Sequence, residues 1–226
     1  MQEQLDGDKN MKYYNLSTRI TTSIIGILLA IAGLVNHGIF EILQGNSSIN
    51  GFYIEAIGES HRFWTYGTEG AFTLIPNFLI TGIFVSIVSL AIIIWSMKFI
   101  QKKYGATVFL LLLIVLTLVG GGIGHIVLTI PTWAYATRIN KPLLWWRKVL
   151  SSKIRNILLK MWVPFLVVTC LSWLIVMELG IFGFFPYQTN PDTILTICFS
   201  FVLFTVFMAN LTFICGIAKD VEERKK

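Results

Sequence analysis

The first apolar segment of the sequence carries two ionisable residues, His37 and Glu41. A spacing of four residues places both side chains on one face of a helix, a turn apart. Imidazole and carboxylate in that arrangement can share a proton or contribute ligands to a metal ion. Ionisable side chains within a membrane segment are costly and are functional candidates by default. The other interpretation is a hydrogen-bonded pair that fixes this helix against its neighbours, and the sequence leaves both open.

The composition predicts a multi-pass membrane protein. The chain has 226 residues, of which 55% are hydrophobic and 13% are charged, whereas soluble domains hold about 25% charged residues. The net charge of +6 lies mainly between apolar segments, which favours a role in membrane orientation and argues against a nucleic-acid partner. Cys170, Cys198 and Cys215 fall inside apolar segments without metal spacing, as expected for buried thiols.

Four apolar segments are long enough to cross a bilayer, which takes about 20 residues. They cover residues 21–43, 75–97, 157–182 and 193–218. The start of the first segment resembles a signal peptide, with small residues at 30–33. Its apolar sequence continues to spanning length, so we expect a retained span and not a cleaved leader.

A fifth stretch, residues 106–138, contains two apolar runs separated by Gly120, Gly121 and Gly122. As a single crossing it would be too long, and three glycines would weaken the helix by roughly 1 kcal/mol each. A single crossing would also separate the basic residues 138–155 from the lysines at 98–103. A short hairpin with a glycine turn places every basic segment on one side, as the positive-inside rule requires.

The sequence therefore predicts an all-α integral membrane protein with six membrane segments, two of them forming the short glycine-turn hairpin. We expect it in the plasma membrane with both termini cytoplasmic. The predicted organisation is a cytoplasmic tail (1–19), one transmembrane domain (20–218) and a second cytoplasmic tail (219–226). The domain includes an external loop at 44–74 and a basic cytoplasmic loop at 138–156.

This topology directs the histidines and half of the carboxylates outward, and an excess of carboxylate attracts cations. We expect an outward pocket for a cation or small solute, with His37 and Glu41 as candidate ligands of a divalent metal and Glu69 or His125 completing the site. Asn77 is also included in the predicted pocket, although its position directly after Pro76 favours a helix cap. The glycines are expected to form a tight turn, with close approach to a ligand as the alternative. The predicted pocket consists of His37, Glu41, Glu69, Asn77 and His125.

Paired tryptophans beside basic residues occur in the basic loop, at Trp145, Trp146, Arg147 and Lys148. This combination is typical of a helix that lies in the membrane interface next to anionic headgroups. We therefore expect these four residues to contact lipid.

Four phrases carry a resemblance to a known group of proteins. They are FEILQGN (residues 40–46), IPNFLITGI (75–83), LVGGG (118–122) and ATRIN (136–140). The chain resembles, over about its first 140 residues, an uncharacterised family of small prokaryotic multi-pass membrane proteins. That family has prolines just after the glycines, where this chain has Gly124 and His125. No activity is attached to the family, so the resemblance implies no functional residue.

Three functions fit the sequence. The first is a binding or transport component for a cation or small solute, which would need a homo-oligomer or a membrane partner to form a pathway. The second is an accessory or structural subunit without chemistry. The third is a metal-dependent membrane enzyme that acts at the outer leaflet.

Overall fold

The computed structural model describes residues 14–224, and nearly all of its regular structure is helical. Four of its helices are long and apolar enough to cross a membrane. They coincide with the four predicted spans, which confirms the all-α class and supports the assignment as a membrane protein. Two further apolar helices, of 14 and 11 residues, flank the glycines. The helices are α1 (Leu16–Leu43), α2 (Phe78–Lys98), α3 (Gly105–Leu118), α4 (Ile126–Ala136), α5 (Leu144–Val149), α6 (Ser152–Phe182) and α7 (Pro191–Glu223).

Helix α1 packs closely against α2 and α3 through glycines. A Cβ atom on Gly26 would lie 2.6 Å from Oγ of Ser96 in α2, and one on Gly33 would lie 3.0 Å from Oγ of Ser89. Small residues at such positions let membrane helices approach each other. Immediately afterwards α1 widens into one π-helical turn, Gly33–Gly38, before it ends as a regular helix. Turns of this kind often occur at functional sites.

The segment between α1 and α2, predicted only as a polar loop, contains a small antiparallel sheet. Strand β1 (Tyr53–Glu55) pairs with β2 (Gly70–Phe72), with Tyr53 opposite Phe72. The chain after β2 is tied to the end of α3, because the N–H of Leu74 donates to the carbonyl of Leu118 at 3.0 Å. The loop therefore covers the end of the bundle where the glycines lie, which we call the loop end.

The opposite end of the bundle collects the segments rich in basic residues, and we call it the basic end. The Nδ2 of Asn15 donates to the carbonyl of Arg138 at 2.5 Å. The residues that precede α3 and follow α4 also meet here, since Nδ2 of Asn140 donates to the carbonyl of Gln101 at 2.7 Å. The end of α7 joins them through Asp220, which accepts from the N–H of Ser17.

Candidate functional site

The π-helical turn of α1 carries His37, and the regular helix that follows carries Glu41. Both side chains are buried, with 1% and 0% of their residue surface exposed. Nδ1 of His37 lies 3.8 Å from Oε1 of Glu41. The helical spacing thus brings the two groups together.

Glu69 reaches the same point from the loop. It immediately precedes β2, and pairing of the two strands fixes its backbone over the loop end. Oε2 of Glu69 lies 3.2 Å from Nε2 of His37, and Oε1 accepts a 2.7 Å hydrogen bond from the N–H of Gly124. His37 is therefore flanked by two carboxylates, and we call His37, Glu41 and Glu69 the His37 cluster.

The glycines between α3 and α4 form a wall of the His37 cluster. Gly120 and Gly122 have φ angles of 111° and 95°, which residues with a side chain rarely adopt. A Cβ atom on Gly120 would also lie 3.0 Å from Oε1 of Glu41, and one on Gly122 would overlap Nε2 of His37. The glycines therefore make the turn and also allow the backbone to approach the ionisable groups.

The cluster leaves polar atoms without hydrogen bonds. Neither ring nitrogen of His37 and neither carboxylate oxygen of Glu41 makes a hydrogen bond of good geometry with any described residue, and the same holds for Oδ1 of Asn36. The contact of His37 with Glu69 is therefore an approach of charges and not an aligned hydrogen bond. A buried polar group without a partner costs roughly 1–3 kcal/mol, and more if it is charged. With the imidazole protonated and both carboxylates ionised, the cluster would also carry one uncompensated negative charge in a largely apolar setting.

Glu69 is the member of the cluster that lies outside the membrane helices, and 37% of its side chain is exposed. Burial on its own would raise the pKa of the carboxyl group. The positive charge of His37 and the hydrogen bond from Gly124 outweigh burial and hold the pKa of Glu69 at about 2. Glu69 is therefore the ionised member of the cluster that reaches the surface of the loop end.

The other predicted pocket residues lie nearby without joining the cluster. His125 is buried beside Gly124, with Nε2 at hydrogen-bond distance, 3.2 Å, from Oγ1 of Thr117. Asn77 caps α2 by accepting from the N–H of Ile80, and its Nδ2 donates to Asn46. Asn77 thus has the capping role that its position after Pro76 predicted.

The predicted lipid-contacting residues all lie on α5 at the basic end. Trp145 is 62% exposed, as an interfacial residue would be.

Within residues 14–224 no group of three or more His, Cys, Asp or Glu side chains has a geometry that could hold a metal ion. The geometry thus gives no support to the divalent-metal site expected at His37 and Glu41.

Sequence reasoning missed the contribution of the backbone to this site. The N–H of Gly124 is a direct partner of Glu69, and the chain at Gly120 and Gly122 encloses Glu41 and His37. The signal present in the sequence was the density of glycine at 120, 121, 122 and 124, directly after an apolar helix.

Comparison of the chain with models of known families, with curated proteins and with solved structures gave no match.

Proposed function

We propose that this protein is a membrane-embedded, cation-binding component of a transport system, and that the cation bound at the His37 cluster is a proton. The observation that carries the proposal is the pair of buried Glu41 oxygens without hydrogen bonds, next to an imidazole that also has none. Protonation of Glu41 would change the charge of the cluster and would give the cluster a new hydrogen-bond donor.

The excess of carboxylate in the His37 cluster supports the uptake of one positive ion. Two carboxylates face a single imidazole, and a buried charge without a partner is strongly unfavourable. One additional positive charge makes the cluster neutral. Carboxylate and histidine side chains in membrane interiors commonly serve as proton relays.

The small space around the cluster favours a proton over a larger cation. The glycine backbone packs so closely that even a methyl group at 120 or 122 would meet Glu41 or His37. A proton needs no cavity, whereas a divalent cation needs several oxygen or nitrogen ligands at roughly 2.0–2.6 Å. The partly exposed carboxylate of Glu69 provides a route for protons from the loop end to the cluster.

The orientation we propose has six membrane segments, with α3 and α4 as a short hairpin, in the plasma membrane. The loop end faces outward and both termini are cytoplasmic. The contact between Asn140 and Gln101 supports the hairpin, because it joins the residues before α3 to those after α4. The concentration of basic residues at the same end supports the orientation.

An accessory subunit without chemistry is the second candidate. Close packing of glycine against His37 and Glu41 favours the accessory function, because positioning the helices is a sufficient role for a rigid polar contact. The two candidates differ in whether the cluster exchanges protons with the medium.

The decisive experiment is infrared difference spectroscopy on purified protein in lipid, recorded between acidic and neutral pH. We expect a protonated-carboxyl band that changes with pH in the wild type and disappears in Glu41→Gln. The matched control is Glu178→Gln, which removes a carboxyl group near the outer end of α6 and should retain the band. The absence of any pH-dependent band that depends on Glu41 would contradict proton binding and leave the accessory function.

A metal titration separates the proton from a divalent cation. Zinc and manganese should leave the melting temperature of the wild type and of Glu41→Gln equally unaffected. Stabilisation of the wild type by either metal that is lost in Glu41→Gln would show that the cluster binds a metal instead.

A further inference from the structure

A separate cavity of about 520 Å³ opens at the basic end of the bundle, between α4, α5 and α7. Its volume is within the range of ~300–1,000 Å³ typical of small-ligand pockets. It lies at the opposite end of the molecule from the His37 cluster. Its walls include Pro131, Tyr135, Arg138, Trp145, Trp146 and Asn210.

The cavity has a charged mouth and an apolar depth. Arg138 lies just beyond the end of α4, whereas Pro131 is seven residues earlier, roughly 10 Å deeper at 1.5 Å per residue. The deep part is mainly aromatic and aliphatic, and its polar residue, Asn210, donates from Nδ2 to the carbonyl of Val206. The ring of Tyr135 stacks on Phe213 with centroids 4.1 Å apart. A ligand that fits must therefore be amphiphilic.

The mouth is positively charged. None of the ion pairs formed among residues 14–224 includes Arg138. The segment 138–155 contains six basic residues and no acidic one. An anionic group at the mouth would thus find an available guanidinium, which binds phosphate through paired hydrogen bonds.

The wall formed by α5 is fixed in place by a buried arginine. Arg155 donates from Nη1 to the carbonyls of Arg147 and Leu150, and from Nε to Glu222 at 2.8 Å. It therefore ties the end of α5 to α7, with only 5% of its own surface exposed. This anchoring keeps Trp145 and Trp146 over the cavity as a preformed wall.

We propose that this cavity binds one anionic phospholipid from the leaflet that surrounds the basic end. The phosphate sits on Arg138 between the tryptophans, and the upper part of an acyl chain runs inward past Tyr135 towards Pro131. The site is distinct from general contact with the bilayer, because it requires a negatively charged headgroup and one particular arginine.

The test is a lipid titration of the detergent-purified protein, read by native mass spectrometry and by thermal unfolding. The probes are phosphatidylglycerol, phosphatidylcholine with the same acyl chains, and glycerol phosphate. We expect one phosphatidylglycerol to bind and stabilise the wild type. Arg138→Gln should weaken its binding about tenfold, as loss of a charge-assisted hydrogen bond would. Lys102→Gln, which changes an exposed basic residue at the same end but outside the cavity, is the matched control and should bind normally.

A second variant tests the apolar depth without altering charge. Ala134 is an exposed residue that lines the cavity, and Ala134→Trp should block lipid binding while the lipid-free protein keeps its melting temperature. Equal binding of both phospholipids, equal loss in Lys102→Gln, or full stabilisation by glycerol phosphate alone would overturn the proposal. Normal phosphatidylglycerol binding by Ala134→Trp would also overturn it.

Discussion

Gly122 shows how a residue with no side chain can define a site. Its φ of 95° already disfavours other residues, and a Cβ atom there would overlap the imidazole of His37. These are two separate costs, one of backbone conformation and one of packing. Gly51 in the loop has nearly the same φ, 98°, but a Cβ atom on it would meet no other atom within 4 Å. The two glycines therefore allow the costs to be measured separately.

Gly51→Ala should lower the free energy of unfolding by about 1 kcal/mol, the cost of a left-handed conformation. Gly122→Ala should cost roughly 1–3 kcal/mol more, because the added methyl group displaces His37. Thermal or denaturant unfolding of both variants in detergent measures the difference. Equal effects for the two substitutions would mean that the glycine wall does not press on His37.

Between elements, a buried polar contact joins the beginning of α1 to the end of α7. The carboxylate of Asp220 is buried and accepts hydrogen bonds from the N–H groups of Ser17 and Thr18 and from the hydroxyl of Thr18. Free N–H groups at a helix start need such acceptors, and a negative charge there also interacts favourably with the helix dipole. An acid from α7 thus caps α1.

Asp220→Ala should lower the free energy of unfolding by about 2 kcal/mol, because it removes three hydrogen bonds and leaves buried donors without partners. Asp192→Ala is the control, since Asp192 is exposed and its carboxylate accepts from the hydroxyl of Tyr66 at the surface; it should cost about 0.5 kcal/mol or less. Chemical unfolding in detergent gives both values. A similar small loss for the two variants would argue against the capping role.

The attachment of the loop to the bundle should depend on pH through Glu69. Its pKa in the folded protein, about 2, is below the ordinary value of 4.5. The ionised carboxylate therefore contributes stability above pH 4.5, and that contribution is lost as the pH falls towards 2. The melting temperatures of wild type and Glu69→Gln should differ at about pH 6 and converge between these two values. A difference that stays constant across this range would contradict the ion pair with His37.

Sequence patterns predicted the parts of the site that depend on a single element. Hydropathy located the four long helices, and helical spacing predicted the approach of His37 to Glu41. The contact of Glu69 with His37 joins residues separated by a loop and a strand pair, and no local pattern determines such a contact. The glycine run predicted the tight turn itself, whereas the approach of Gly120 to Glu41 and of Gly122 to His37 follows from how this turn packs against α1.

For the whole molecule, the proposed six-segment topology makes a prediction about sidedness. Single cysteines can be placed at Ser60, Gln188, Gln101 and Arg147 in a variant without the three native cysteines. A membrane-impermeant thiol reagent applied to intact cells should label the first two and leave the last two unlabelled until the membrane is opened. Labelling of Arg147→Cys from outside, with Gln101→Cys protected, would mean that residues 106–138 cross the membrane once.

The π-helical turn at Gly33–Gly38 has a consequence for how the site tolerates changes in chain length. Each residue of a regular helix advances it by about 1.5 Å and turns it by about 100°. A π-helical turn holds one more residue than an α-helical turn, so a deletion within it is absorbed by a return to the regular hydrogen-bond pattern. Deleting Ile39 from the regular helix that follows would instead rotate Glu41 away from the glycine wall, while Gly26 and Gly33 kept their contacts with α2. Every residue type needed for the cluster would still be present, but the groups would no longer meet. The site therefore tolerates the loss of a residue at one place in α1 and not at the next.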